Sequence, residues 1–334
     1  MADLFSTYGF RKLITIHHSI DAALSDYPVL FRVMRTTGAD TTEAYGRETA
    51  NKIYVGTNCL ATFYDFVLTT SDGVTIVKRC AEVINGTSDA YIWCKVDVPA
   101  SGDWTGYAYY GKPSESANPD DGTNTFTFYD HFDGDLTKWA GDTAQASISN
   151  SILTYTYALA AWKAILSVNA YSGDIVVKSS IRMETATRNY VTGGGLRTGK
   201  DSATKVDHQS QGGTQWVTCQ TGATVYSTTD PGVGAYHTIE MSRVLTGTDT
   251  VNGWLDNGAQ LGPTTSNIAT SNLKACIQVN GLDSATATIL VDWIFIRKTT
   301  ANMPAWAANG AEEAAPASSS MICMSMISSM AMMS

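Results

Sequence analysis

The chain has 334 residues, of which 44% are hydrophobic and 16% charged, a composition that suits two or three folded domains and excludes a disordered chain. Its 23 Asp against 8 Glu, its 28 Gly and its recurrent Thr and Ser favour strands and turns over long helices, so an all-β fold is expected. A formal net charge of −9 offers nucleic acid and anionic membranes no basic footprint, and a glycan or another protein is the better-suited partner.

The N-terminal stretch has no apolar core of signal-peptide length, and nothing up to Gly310 approaches the roughly 18 apolar residues of a membrane span. The chain as written is expected to be soluble and unsecreted. From Leu13 onward, apolar and polar residues alternate over short runs: Leu13–Ile16, Val29–Val33, Ala61–Leu68, Val74–Lys78, Ala90–Val98 and Thr105–Tyr110. Turn residues separate them at Ser71-Asp72-Gly73, Asn85-Gly86-Thr87 and Ser101-Gly102-Asp103, so residues 1–115 are expected to form an antiparallel sandwich. Asn85 is read as part of a turn. A polar stretch rich in Pro, Ser, Asn and Asp follows, with a linker expected at 116–125.

Strand-like runs resume at Phe126–Phe132 and continue through Ile152–Tyr157, Asp174–Met183, Tyr190–Leu196, Thr214–Cys219, Tyr236–Arg243, Val251–Leu255, Leu273–Val279 and Thr288–Arg297. They predict a second sandwich, a jelly roll, over 126–300. Residues 301–334 change character. Met303–Pro316 reads as an Ala- and Pro-rich linker, and six of the eleven methionines fall in the last fourteen residues. Read as a helix, this tail gathers its serines to one side and Met and Ile over the rest. Met321, Met324, Ile327, Met330 and Met333 are therefore candidate assembly residues that dock on partner proteins or join copies into a homo-oligomer.

Chemistry-bearing motifs are sparse. Gly194–Asp201 comes within one residue of a phosphate-binding loop, but Asp201 stands where a hydroxyl should hold magnesium, and no apolar helix follows. His17 and His18 point to opposite faces of a strand; His131, His208 and His237 stand without metal-site companions. The six cysteines show no paired spacing and are expected to be buried thiols. Between Asn124 and Thr300 the only glutamates are Glu184 and Glu240, each alone on its strand, whereas a glycosidase needs two carboxylates across a cleft. No catalytic residues are assigned, and the chain is expected not to be an enzyme. Asp130, Asp133 and Asp135 are candidates for a calcium site, the one cofactor considered, against an ordinary Asx-Gly turn. Trp93, Trp139 and Trp293 lie in apolar contexts and are expected in the core. Trp104, Trp162, Trp216 and Trp254, in loops or polar contexts, are the candidate ligand-stacking residues.

Phe10–Ile16, Leu24–Leu30, Ser71-Asp72-Gly73, Trp93 and Tyr107–Lys112, in this order, resemble the bacterial and viral β-domain family DUF2341 over about residues 8–115. Lys112 stands where that family often has Asn. Tyr129–Gly134 with Lys138-Trp139, and Val291–Lys298, resemble the concanavalin-A-like, LamG-type jelly roll over about 126–300. The resemblance implies carbohydrate or protein binding on extracellular surfaces. Family members in cells usually carry export signals, and incorporation into a virus particle is a route outward without one. The expected role is thus a virion surface protein: a fibre, tail adhesin or capsid decoration. The alternative is a secreted or cell-surface glycan-binding module of a polysaccharide-processing system.

Overall fold

The structure, a computed structural model, describes residues 7–18, 22–158, 161–184, 190–199, 205–211, 215–220, 223–227, 233–265, 268–280 and 286–316. For residues 190–193, 205–211, 215–220, 223–227 and 280 it describes the backbone alone. The candidate assembly residues Met321, Met324, Ile327, Met330 and Met333 lie outside the described residues.

The first sandwich is built from β1 (Phe10–His17), β2 (Leu24–Met34), β3 (Thr41–Tyr45), β4 (Glu48–Tyr54), β5 (Val67–Thr70), β6 (Arg79–Asn85), β7 (Asp89–Val98) and β8 (Trp104–Tyr110). The second comprises β9 (Phe128–Asp130), β10 (Trp139–Gly141), β11 (Ala146–Ser149), β12 (Ile152–Tyr157), β13 (Trp162–Ser167), β14 (Ile175–Met183), β15 (Tyr190–Arg197), β16 (Lys205–Gln211), β17 (Gln215–Gln220), β18 (Ala223–Ser227), β19 (Tyr236–Val244), β20 (Thr250–Leu255), β21 (Leu261–Thr264), β22 (Lys274–Asn280) and β23 (Ala287–Lys298). Two short strands follow, β24 (Ala305–Trp306) and β25 (Glu313–Ala314). The all-β architecture is as the alternation predicts. Pairing is antiparallel except where β2 runs parallel to β4. Among the described residues no helix is long and apolar enough to cross a membrane.

Four sheets stack in layers. The outermost has the order β24-β1-β8-β5, with β25 also on β1, and faces the sheet β3-β4-β2-β7-β6. Ile14, Phe31, Val33, Ile53, Phe66, Leu68, Ile92 and Tyr110 fill the core between them. The sheet β11-β12-β23-β14-β19-β20-β21 faces β10-β13-β22-β15-β16-β17-β18 across a core that includes Leu153, Tyr155, Ile165, Val177, Ile239, Met241, Ile277, Ile294 and Ile296. Cys59, Cys80, Cys94 and Cys276 are buried free thiols, as expected. Gly194 lies on β15, where an added Cβ would sit 2.2 Å from Ser179 Oγ. Close packing thus accounts for a glycine in the would-be phosphate loop.

The two inner sheets have no solvent-facing side over their contact. Alternation along β7 sends Ile92 and Cys94 into the first core and Trp93 the other way; along β23 it sends Ile294 and Ile296 into the second core and Trp293 and Phe295 outward. The outward residues meet in a third core with Leu30, Tyr45, Cys80 and Phe126. Ionic side chains join across the same seam. Lys178 Nζ lies 2.8 Å from Glu82 Oε1 and 3.6 Å from Glu240 Oε2. Arg297 reaches Glu48 at 2.5 Å and Glu240 at 3.1 Å, and its guanidinium sits over the Trp93 ring at 4.7 Å. Tyr45 and Trp93 donate to the two oxygens of Glu82, each at 2.8 Å. Burial pushes the Glu240 carboxyl upward, with Lys178 and Arg297 opposing.

Two connections are more built than their composition suggests. The linker expected at 116–125 is pinned to the first sandwich: the buried Arg79 donates to Asp120 Oδ1 through Nε at 2.9 Å and Nη2 at 2.7 Å. One helical turn, α1 (Gly122–Thr125), then leads into the second sandwich, with the Asp121 side chain accepting from Asn124 N. Beyond β23 the chain returns. The segment expected as an Ala- and Pro-rich linker pairs with β1 through Ile16↔Trp306 and Phe10↔Ala314. Trp306 anchors it, with its ring 5.0 Å from Phe31 and its Nε1 donating to Thr49 O at 2.7 Å. No periodicity marks this strap in the sequence, because single hydrogen bonds to β1 hold it on either side of one tryptophan.

Removing one member of a buried ion pair strands its partners at a cost of about 3–5 kcal/mol. Arg297→Met, which leaves Glu48 and Glu240 without their guanidinium, is expected to lower unfolding stability by that amount in urea titration. Because the sandwiches share the third core, calorimetry of the unaltered chain should give one cooperative transition rather than two.

Candidate binding site at the seam of the sandwiches

The third core opens at one side into a cavity of about 350 Å³. Its second-sandwich wall follows from strand register. β9 pairs with β23 as Phe128↔Ile296, Tyr129↔Phe295 and Asp130↔Ile294. Phe128 enters the second core with Ile294 and Ile296, so Tyr129 and His131 take the opposite face, alongside Phe295 and Trp293. The rings form a row. Phe126 stacks on Phe295 at 4.1 Å, Trp293 on Phe295 at 5.4 Å, and Tyr129 on Phe126 at 5.8 Å. His131 continues it at 6.5 Å from Tyr129. Gly122 is required beneath this row, because a Cβ there would lie 2.3 Å from the Tyr129 ring.

A β-bulge shapes the rim. β14 pairs Ser180 with Trp293 and Ile181 with Val291, which leaves Asp292 as the extra residue; bulges of this kind re-aim side chains. The Asp292 carboxylate lies 3.7 Å from His131 Nε2, and Asp133 lies 3.1 Å from His131 Nδ1. One imidazole thus stands between two carboxylates whose environments differ. Burial pushes Asp292 up, with His131 opposing. A hydrogen bond from Ser151, together with His131, holds Asp133 below its ordinary value. The first sandwich supplies the facing wall with Cys80, Glu82 and Asp120. Burial pushes the Cys80 thiol up to about 12, so it stays protonated and is no nucleophile. Burial likewise raises Tyr129, which keeps its phenolic proton.

Most sequence-predicted site residues fall elsewhere. Trp104 is 8% exposed in the first core, and Trp254 is 3% exposed, paired beside Glu240 on β20. Both are corrected to buried residues: Trp104 turns into the first core while Asp103 and Thr105 take the alternate face, and Trp254 lies beside Glu240 on the face opposite Val251 and Leu255, which pack in the second core. Trp162 is half-buried on β13, opposite in phase to the core residue Ile165, with Arg197 over its ring at 5.9 Å. It is therefore on the outer face of the second sandwich's outer sheet, away from the seam. The backbone of Trp216 pairs with Ser210 and Ser227; its side chain lies outside the described residues. Trp93, Trp139 and Trp293 are buried as expected.

The three aspartates do not converge as a metal site. Asp130 accepts from Phe132 N and, at 2.5 Å, from Trp139 Nε1. Asp133 accepts from Ser151, and Asp135 caps Thr137. Among the described residues no group of three His, Cys, Asp or Glu side chains could hold a metal ion. Sequence reasoning did not single out Tyr129, Asp120 or Asp292 as site residues, and His131 reads there as structural or surface. One signal was present: Val291–Arg297 is apolar on both strand faces, as in a strand buried on both sides.

Comparison with known proteins adds the following. The family described as a domain of unknown function, DUF2341, matches residues 62–142, a span that runs from the first sandwich across the seam into the second. No curated protein matches. The chain is similar to the β-glucanase of Bacillus licheniformis at 15% identity, over 52% of this chain and 98% of that one, with a TM-score of 0.42. It is similar to the endo-β-1,3-glucanase of Pyrococcus furiosus at 11% identity, over 55% and 95%, with a TM-score of 0.41. A carbohydrate recognition domain in metal-free form is similar at 10% identity, over 48% and 88%, with a TM-score of 0.40. The expectation that the chain is not an enzyme is corrected on this comparison, because named glucanases stand among the similar structures.

The Asp292 shift has a definite sign. A carboxyl raised in the folded state favours folding at pH below its unfolded value, about 3.9, and that contribution is lost as pH rises through the folded value. Asp292→Asn should therefore gain melting temperature relative to the unaltered chain as pH rises from about 3.5 to about 7. A difference that moves the other way in a pH series of thermal melts would mean that the His131 contact outweighs burial.

Proposed function

We propose that the chain is an extracellular carbohydrate-binding protein of a polysaccharide-processing system, and that it takes a glycan in the cavity at the seam. The observation that carries this reading is the aromatic row Tyr129–Phe126–Phe295–Trp293 with hydrogen-bonding groups at its rim. A sugar ring presents apolar C–H faces and a belt of hydroxyls. The half-buried Tyr129 ring, backed by the buried Phe126, Phe295 and Trp293, suits the first, and carboxylates and an imidazole suit the second. The cavity volume, about 350 Å³, lies at the lower end of the roughly 300–1,000 Å³ typical of small-ligand sites, which fits a short stretch of a longer chain. Asp120 is well placed for such a role, since buried Arg79 and Ala81 N engage its Oδ1 and orient Oδ2.

A second reading, a virion surface component, is favoured by the strap. Ala315 N donates to Gly9 O at 3.1 Å and Glu313 pairs with Arg11, so the Met-rich tail is rooted on the outermost sheet of the first sandwich. The first core separates that root from the seam, and a tail docked through Met321, Met324, Ile327, Met330 and Met333 would leave the cavity open to a glycan. Light scattering of the full chain and of a chain ending at Pro316 tests it: a defined oligomer lost on truncation is the expected result, and equal monomer masses count against assembly through the tail.

The glycan reading is tested by titration calorimetry against soluble oligosaccharides, with reducing-end release assayed in the same samples. Tyr129→Leu and His131→Ala are each expected to weaken binding at least about tenfold, equivalent to about 1.4 kcal/mol. Unchanged affinity in both variants would remove the seam cavity from the reading.

A further inference from the structure

We infer that the seam cavity selects a sugar bearing a free, protonated amine, a deacetylated amino sugar, over its neutral counterparts; this rests on the glycan reading above. The argument is a local charge balance. The cavity lining includes Glu82, Asp120 and Asp133 and neither Lys nor Arg. Two of these carboxylates are neutralised from behind: Glu82 by Lys178 at 2.8 Å and Asp120 by Arg79 at 2.7 Å. Neither Lys178 nor the Arg79 side chain, at 0% and 1% exposure, can follow a ligand. The rim differs. Asp133 and Asp292 flank the single imidazole of His131, so two carboxylates share one ring there. Lys138, the other cation nearby, donates to Tyr129 O at 2.8 Å and lies 3.5 Å from the buried Asp130, and acts on Asp133 only through its field.

An ammonium group at this rim would donate charge-assisted hydrogen bonds to Asp133 on one side of the imidazole or to Asp292 on the other. It would also approach the half-buried Tyr129 ring, since aromatic faces carry negative electrostatic potential and attract cations. A hydroxyl or acetamido group in the same place gains neither in full. A metal ion is the poorer occupant, because the two carboxylates stand on opposite sides of the imidazole rather than converging. The net charge of −9 adds attraction for a cationic polymer at long range.

The experiment is calorimetric titration of the full chain with three oligomers of equal length: a glucosamine oligomer, its N-acetylated form and a neutral β-glucan. Each is measured at about 50 and 200 mM salt, where screening differs. The glucosamine oligomer is expected to bind at least about tenfold more tightly than the other two, with the preference shrinking at high salt. In the double variant Asp133→Asn, Asp292→Asn the affinity ratio should fall toward one, whereas His131→Gln should retain it. Equal affinities for all three oligomers in the unaltered chain would overturn the inference and leave the glycan reading standing. Binding of none of them would overturn both. Tight binding of a lysine-rich peptide with no binding of the glucosamine oligomer would overturn the sugar assignment and identify a protein amine as the ligand. The salt dependence is measured on the unaltered chain, so the inference remains testable if the double variant does not fold.

Discussion

Burial of charge between the two inner sheets is the constraint on which the rest of the molecule depends. Lys178 and Arg297 come from the second sandwich, and Glu82 and Glu48 from the first. Glu240 links the two cations from within the second sandwich. Such groups are tolerable out of water only when each meets opposite charge and directed hydrogen bonds at once. That requirement admits one relative placement of the sheets. A slide of one sheet over the other by one strand position, about 3.3 Å, would part Arg297 from Glu48 and Lys178 from Glu82. The aromatic contacts supply affinity for almost any placement, whereas the ionic ones select among placements. The cavity inherits its geometry from this selection, since its two walls belong to different sandwiches.

What the sequence made legible follows from the range over which each signal acts. Strand alternation is local, and it read correctly along β1, which has one face in a core, while β7, β14 and β23 read as short apolar runs bounded by turn residues. Turn chemistry is local as well, and Asn85-Gly86 turns where expected, with Gly86 at a φ of 58°. The seam is not local. Trp93, Trp293 and Phe295 read as core residues, but nothing near them in the chain says that this core is a third one, shared between sandwiches. Glu240 stands alone on its strand and acquires its partners only through contacts 57 to 193 residues away.

The candidate site was legible in part for the same reason. Asp133 was noticed as one of three clustered aspartates, yet its role depends on His131 and Ser151, and Ser151 comes from a later hairpin. Asp292 gave no signal at all, because a bulge is defined by the partner strand as much as by its own residues. Trp104 and Trp254 were misjudged because polar neighbours were taken to describe their surroundings. In a strand, adjacent residues share a backbone but not a face, so Asp103 and Thr105 do not describe the face that Trp104 takes, and the burial of Trp254 depends on a partner strand that its own neighbours do not name.

The strap that closes the chain gives the molecule a mechanical character. Gly9 and Ala315 are bonded to each other, and β25 and β24 run back along β1 from its first residue to its last. Tension applied between residue 9 and residue 315 would therefore load the bonds one after another, in the manner of a zipper. Ala315–Gly9 would break first, then Glu313–Arg11, Gly310–Leu13 and Ala307–Thr15, with the tryptophan at 306 as the last stop. An antiparallel pair held at one end resists such peeling far less than it would resist shear along its length. The strap would thus yield before either sandwich, and the inner seam, between the second and third of the four layers, would bear none of the load until it had.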